Sequence, residues 1–251
     1  MNEIALKELL YKMADDLLIL GHRNSEWTGF GPLLEEDIAF SSMAQDKIGQ
    51  SHALYNILNT LGERDPDTVA FTRHASQFHN CLLVELPNGE YDFSLIRHFL
   101  YDTAEVIRFE MLSNSSFQPL ADLSKKIRAE LRYHTLHANT WMKQLGSATE
   151  ESISRLQKSL DYAMPYALGM FEESPYEREL IADGIFNGEQ VLKERWMKKV
   201  EEIISQTNLI LPDWKVVQPV FSGRLGKHSE HLQPLLDEMS EVFRIDPSAE
   251  W

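Results

Sequence analysis

The stretch LSKKIRAELRYHTLHANTWMKQL, residues 123–145, decides how the chain is read: apolar residues recur at helical spacing, and an acid and an imidazole sit among them. With His134 as origin and 100° per residue, Leu123, Ile127, Trp141 and Leu145 fall within about 20° of it, and Glu130 within about 40°. A carboxylate and a histidine are therefore expected on the face that this helix turns toward its neighbours. An unpaired charge there costs on the order of several kcal/mol, so a proton, a partner or a metal has to neutralise it.

Outward from this stretch the chain is a succession of helical patterns with short breaks. The first runs from about Ile4 to Gly21, with Leu6, Leu9, Leu10, Met13, Leu17 and Leu20 on one side. Gly29, Phe30, Gly31 and Pro32 interrupt it, and a second helix follows over about Leu33–Leu61, ended by Gly62. A short helix around Thr68–Phe78 and a brief extended or helical run at Leu82–Val84 lead to a turn at Pro87, Asn88 and Gly89. Helix three is expected over about Phe93–Leu112 and helix four over about Pro119–Leu145, closed by Gly146. Shorter helices follow at Glu150–Gly169, Tyr176–Asp183, Glu189–Ser205 and Ser229–Phe243. The Pro- and Gly-rich segment Leu209–Gly226 reads as a long loop or a marginal hairpin.

The pattern predicts an all-α fold in a single domain of 251 residues: a four-helix core bundle over about residues 3–146 and a C-terminal helical extension over about 147–251. A hydrophobic content of 43% is enough for a large core. The formal charge of −15 speaks against nucleic acid. The two basic groups, Lys125, Lys126, Arg128 and Lys193, Arg195, Lys198, Lys199, read as solvated helix faces. No run approaches the ~18 apolar residues of a membrane span, and the first residues are helical rather than a signal sequence, so a cytoplasmic protein is expected. Cys81, the one cysteine, excludes an internal disulfide, a cysteine-based zinc site and an iron–sulfur cluster. It is expected as a small buried hydrophobe.

Each long helix offers a carboxylate for the interior. Asp102 shares the face of Leu95, Phe99, Val106 and Phe109, with His98 and Glu105 beside it. Asp46 shares the face of Ala39, Ser42, Met43, Gly49 and Gln50. Asp16 lies at the edge of the first leucine stripe, with Asp15 turned further outward. Di-iron carboxylate bundles are built on such a plan, with one Glu from each of two helices and Glu-x-x-His from each of two others. Here Gly49 stands three residues after Asp46, where a histidine is needed, and Glu130 stands four residues before His134 rather than three. A metal-free hydrogen-bonded network is the expectation; a structural ion or a working di-iron centre are the alternatives.

Several spaced segments, in order, resemble one family: Arg23-Asn24-Ser25-Glu26-Trp27, Phe71-Thr72-Arg73 on to Phe78 and Asn80, Leu82-Leu83-Val84-Glu85 with Pro87-Asn88-Gly89, Arg132-Tyr133-His134, and Gly226-Lys227-His228-Ser229-Glu230-His231-Leu232. Over nearly its whole length the chain is similar to the ferritin-like, non-catalytic C-type subunit of bacterial phenylacetyl-CoA 1,2-epoxidases, oxygenases of phenylacetate degradation. The resemblance implies a hetero-oligomer in which a homologous A-type subunit holds the di-iron centre and binds the acyl-CoA. It also implies an NADPH-dependent reductase that supplies electrons, so that one oxygen atom of dioxygen enters the aromatic ring as an epoxide. This chain would hold no cofactor of its own and would support the catalytic subunit.

Trp27, Phe30, Trp196, Trp214 and Trp251 are candidate interface anchors. Arg23, Glu26, His228, Glu230 and His231 belong to the same family-like segments; at the last of these, capping by Ser229 and interface hydrogen bonds are favoured over metal binding. Two other functions stay open. A self-sufficient di-iron oxygenase would use a set such as His98, Asp102, Glu105, Glu130 and His134, and a helical acyl-CoA carrier or adaptor would need no metal.

Overall fold

The computed structural model describes residues 1–246, and every regular element among them is helical. The all-α, ferritin-like class expected from the sequence is the class observed, with four long helices of 22 to 28 residues. In chain order the helices are α1 (Glu3–Ser25), α2 (Leu34–Thr60), α3 (Pro66–Phe71), α4 (Leu82–Glu85), α5 (Tyr91–Leu112), α6 (Gln118–Leu145), α7 (Glu150–Gly169), α8 (Glu177–Ala182), α9 (Glu189–Ile204) and α10 (Leu232–Ile245). Short 3-10 turns stand at Ala75–Gln77 and Gly223–Leu225. No helix of the described residues is long and apolar enough to cross a membrane.

The chain forms two compact units that interleave in sequence: Met1–Leu6 with Asn88–Phe221, and Lys7–Pro87 with the chain from Ser222 on. In the first, α5 is the central element. All but four of its 22 residues are buried, so it lacks a solvent face, and α6, α7 and α9 pack around it. Trp196 of α9 is completely buried against Phe171 and donates its indole N–H to the Leu100 carbonyl at 2.8 Å. The α7 start is set by a reciprocal capping box, in which Thr149 Oγ1 accepts from the Ser152 amide and Ser152 Oγ from the Thr149 amide, both at 3.1 Å. Residues 209–222 form an irregular strap and no hairpin. The Val220 amide donates to the Pro165 carbonyl, and the Val220 carbonyl lies so close to Gly169 that a Cβ there would be 2.0 Å from it.

In the second unit α10 packs on α3 and the 3-10 turn that follows it, and α3 packs on α2. Every residue from Lys12 to Gly21 of α1 is buried, so the single leucine stripe expected there underestimates the helix. The helix expected over Thr68–Phe78 is broken into α3 and a 3-10 turn, where the Arg73 side chain takes up the Val69 and Gln77 carbonyls. The last helix begins at Leu232 rather than at Ser229, and Ser229 serves the turn before it by accepting the His231 amide at 3.2 Å.

Two helix faces differ from those expected. On α2 the buried line is Phe40, Met43, Ala44, Lys47, Gln50, Ser51, Leu54, Tyr55 and Leu58; Asp46 is half-buried, and Ser42 and Gly49 are exposed. Packing follows the larger side chains, which remove more apolar area from water than the small residues around Gly49. On α6 the buried line is Leu120, Ser124, Ile127, Leu131, His134, Ala138 and Met142, which leaves Leu123, Glu130, Trp141 and Leu145 half-buried. His134 is completely buried, as expected.

Candidate functional site

The polar groups of the second unit converge on two buried arginines. Asp15 is completely buried rather than turned outward. Arg73 Nη2 donates to its Oδ1 at 2.6 Å and Nη1 to its Oδ2 at 3.0 Å, a bidentate pair, and the Tyr55 hydroxyl and the His79 amide donate to the same carboxylate. The guanidinium lies 3.9 Å above the centre of the Phe78 ring. Burial works against the Arg73 charge, but the Asp15 carboxylate outweighs it and makes the guanidinium harder to deprotonate. Burial, reinforced by Asp15, pushes the Tyr55 phenol well above its ordinary value.

One residue along, Asp16 makes the same kind of pair with Arg224, Nη1 to Oδ1 at 2.8 Å and Nη2 to Oδ2 at 2.7 Å, and its Oδ1 also accepts the Cys81 amide. Arg224 can reach it because the 3-10 turn Gly223–Leu225 fits closely against the chain at residues 76–81. A Cβ on Gly223 would lie 2.3 Å from the Asn80 carbonyl. Gly226, at φ +74°, closes the turn 2.4 Å, by the same measure, from the Ser76 carbonyl. Burial and the Asp16 charge push the Cys81 thiol far above its ordinary value, so it is the inert hydrophobe expected.

Glu85 is a further buried carboxylate of this unit. It accepts from Asn80 Nδ2, from the Ser229 amide and at 2.8 Å from His228 Nδ1, while His228 Nε2 faces the Phe78 carbonyl at 3.0 Å. The ring is thus held between a carboxylate oxygen on one side and a backbone carbonyl on the other. The backbone of the same turn is held by Arg23, which donates to the Glu85 carbonyl and pairs with Glu26 at 2.7 Å. Glu230 is exposed and His231 half-buried. Arg23, Arg73, Asn80, Glu85 and His228, all from the family-like segments, thus belong to one buried network. Its other members, Tyr55 and Arg224, carry no local signal, because their partners lie 40 and 208 positions away.

In the first unit His98 Nδ1 and Asp102 Oδ2 stand 2.8 Å apart, one turn from each other on α5. Glu105 accepts from Arg108 Nε at 2.8 Å, and Arg108 goes on to Glu189 of α9 at 2.6 Å. The Glu189 amide donates to Glu177, which fixes the start of α9. Arg108 and Glu189 were not legible as site residues, since nothing in their own segments marks them as buried.

The donors do not fit a di-iron centre. Asp15 and Asp16 each hold an arginine through both oxygens, Glu105 holds Arg108, Asp46 and Glu130 are only half-buried, and Gly49, where a histidine is needed, is exposed. Among the described residues no group of three or more His, Cys, Asp or Glu side chains is placed to hold a metal ion.

The proposed anchors separate. Trp196 is core rather than surface; Trp214 is half-buried, 5.4 Å from the Trp196 ring, with its N–H on Glu201. Trp27 is half-buried against Phe40, Phe30 is 79% exposed, and Trp251 lies outside the described residues. An open cleft of about 340 Å³ in the first unit is lined by Glu90, Tyr91, Asp92, Glu151, Arg155 and Leu156, among others. Three carboxylates against one arginine, itself paired with Glu151, oppose the phosphates of an acyl-CoA.

Two comparisons with known proteins complete this picture. The family model described as phenylacetic acid catabolic protein matches residues 1–251. The chain is also 32% identical, over 252 aligned positions that span 100% of both chains, to the C-type subunit of the 1,2-phenylacetyl-CoA epoxidase of Escherichia coli strain K12.

Proposed function

The chain belongs to the phenylacetic acid catabolic protein family, and from that premise we propose that it is the C-type, non-catalytic subunit of a phenylacetyl-CoA 1,2-epoxidase complex. In this reading it pairs with the A-type subunit, which holds the di-iron centre, binds the acyl-CoA and receives electrons through a reductase. The observation that carries the proposal is the full-length match to the C-type subunit of such an epoxidase. The donor set supports it: Asp15 accepts four hydrogen bonds, two of them from Arg73, which uses up its lone pairs, and Asp16 accepts three, two of them from Arg224, so these acids of α1 are already committed to protein donors.

The role of the chain is then mechanical. To fix the ligand-bearing helices of its partner it has to be rigid itself, and bidentate arginine pairs inside the core supply that rigidity better than apolar contacts alone, because they fix orientation as well as distance. The test is to purify the catalytic subunit with and without this chain and assay epoxidation, and to measure iron in this chain purified alone. The proposal expects activity only in the pair and no stoichiometric iron here. Full activity of the catalytic subunit alone, or about two irons per copy of this chain, would overturn it.

A further inference from the structure

The beginning of α2 carries a cluster of exposed apolar side chains. Phe30 is 79% exposed, Leu33 45%, Leu34 71% and Ile38 61%. Single exposed leucines are ordinary, but four large apolar residues within nine positions, on one loop and the first turns of one helix, form a patch.

The loop that presents them is fastened. The Gly29 amide donates to Asp37 Oδ2 at 2.8 Å, and the hydroxyls of Thr28 and Ser41 are 2.8 Å apart. Consecutive turns bond the Trp27 amide to the Asn24 carbonyl, Thr28 to Ser25 and Phe30 to Trp27. Gly31 lies so close to Asp37 that an added Cβ would be 2.7 Å from its amide nitrogen. The Trp27 ring packs on Phe40 beneath the loop. Phe30 is thus displayed on a fixed backbone, which lowers the entropy lost when a partner covers it.

The surroundings select the partner. From Asn24 to Asp46 the chain has no lysine or arginine and has five carboxylates, of which Glu36 is buried and Glu26 is paired with Arg23, so that Glu35 and Asp37 are the acids beside the patch. Glu35 is exposed and Asp37 half-buried at the margin of the patch. A second copy of this chain would bring the same acidic margin against it, on a molecule of charge −15, and is disfavoured. We propose that Phe30, Leu33, Leu34 and Ile38 are the hot spot that docks into an apolar groove, rimmed by lysine and arginine, on the catalytic subunit. This rests on the pairing proposed above and adds to it the surface and the chemistry of the partner. An aromatic anchor among aliphatic neighbours with charged residues beside them is the usual anatomy of such an interface.

The test uses the full chain with the catalytic subunit and measures affinity by titration at two salt concentrations. The double variant F30D/L34D should weaken binding at least a hundredfold, with an unchanged urea unfolding midpoint. E35Q, which leaves the Asp37 clasp of the loop untouched, should weaken it about twofold at low salt and not at high salt. Y133D/L136D changes another exposed apolar pair, on α6, and should leave affinity as it is. Binding of F30D/L34D at wild-type affinity overturns the proposed surface and leaves the pairing intact; no binding by the wild type overturns both. Loss of binding only in Y133D/L136D, or loss of self-association rather than of pairing in F30D/L34D, moves the interface elsewhere or assigns the patch to a second copy, and either result overturns the proposal.

Discussion

The two units are held by different means. Around α5, helices lie side by side, and the buried charges pair mostly along α5 itself, His98 with Asp102 and Glu105 with Arg108, with Arg108 as a bridge between α5 and α9. In the other unit the two long helices α1 and α2 are joined by short segments, α3, α4 and two 3-10 turns, and Arg73, Arg224 and His228 hold the carboxylates of Asp15, Asp16 and Glu85. Long helices can bury enough area along one another; a four-residue helix such as α4 cannot, and its position has to be fixed by directional contacts. The family-like segments are concentrated where the directional contacts are.

Removing one member of a clasp gives the largest expected effect. Asp16→Ala leaves Arg224 buried without its counter-charge, and urea unfolding should show a loss of about 3–5 kcal/mol. Replacing both members, Asp16→Leu with Arg224→Met, should cost much less. A single-variant loss below ~1 kcal/mol would mean that apolar packing alone holds this unit as well.

A smaller effect concerns a charge that this unit excludes. Burial lowers the pKa of His22, on α1, to about 4 from an ordinary 6.5. As pH falls below about 6.5 the unfolded chain takes up the proton first, so stability should fall between about pH 6.5 and 4, by roughly 3 kcal/mol in all. His22→Gln should flatten that part of the curve of unfolding free energy against pH. An unaltered curve would show that the acid response comes from the clasps.

In the unit around α5, Trp196→Phe removes the donor to Leu100 and leaves a small gap, and should cost about 1–2 kcal/mol by the same urea assay. A loss as large as that of Asp16→Ala would erase the distinction between the units. Smallest of all, Phe30→Ala should move the unfolding free energy of the isolated chain by no more than about 0.5 kcal/mol, because the ring is exposed.

The long helices were legible because their apolar period is sustained. For α7 even the ends agree, Glu150 and Gly169, since Thr149 and Ser152 form a local cap. Which residues face inward was less legible. A stripe calculation assumes a helix with one wet side, and α5 and the Lys12–Gly21 part of α1 have none, so Asp15 was assigned outward and is fully buried. On α2 the stripe through Gly49 competed with one through Lys47 and Leu54, and side-chain size decided for the second. The clasps were not legible at all, because each joins positions between 58 and 208 residues apart and no local spacing encodes the pairing. Only the resemblance marked Arg73 and His228, without a role.

The distance between Asp16 and Arg224 also governs how the chain is made. Asp16 emerges from the ribosome 208 residues ahead of Arg224, and Glu85 143 residues ahead of His228, so these acids wait, uncompensated, through most of synthesis. Segment 88–221 is meanwhile complete. A nascent or prematurely stopped chain that ends at Phe221 has one of the two units finished and the other lacking Arg224 and His228, the partners of Asp16 and Glu85, which makes it a substrate for proteases. Pulse-chase labelling of that truncation should show rapid turnover where the full chain persists.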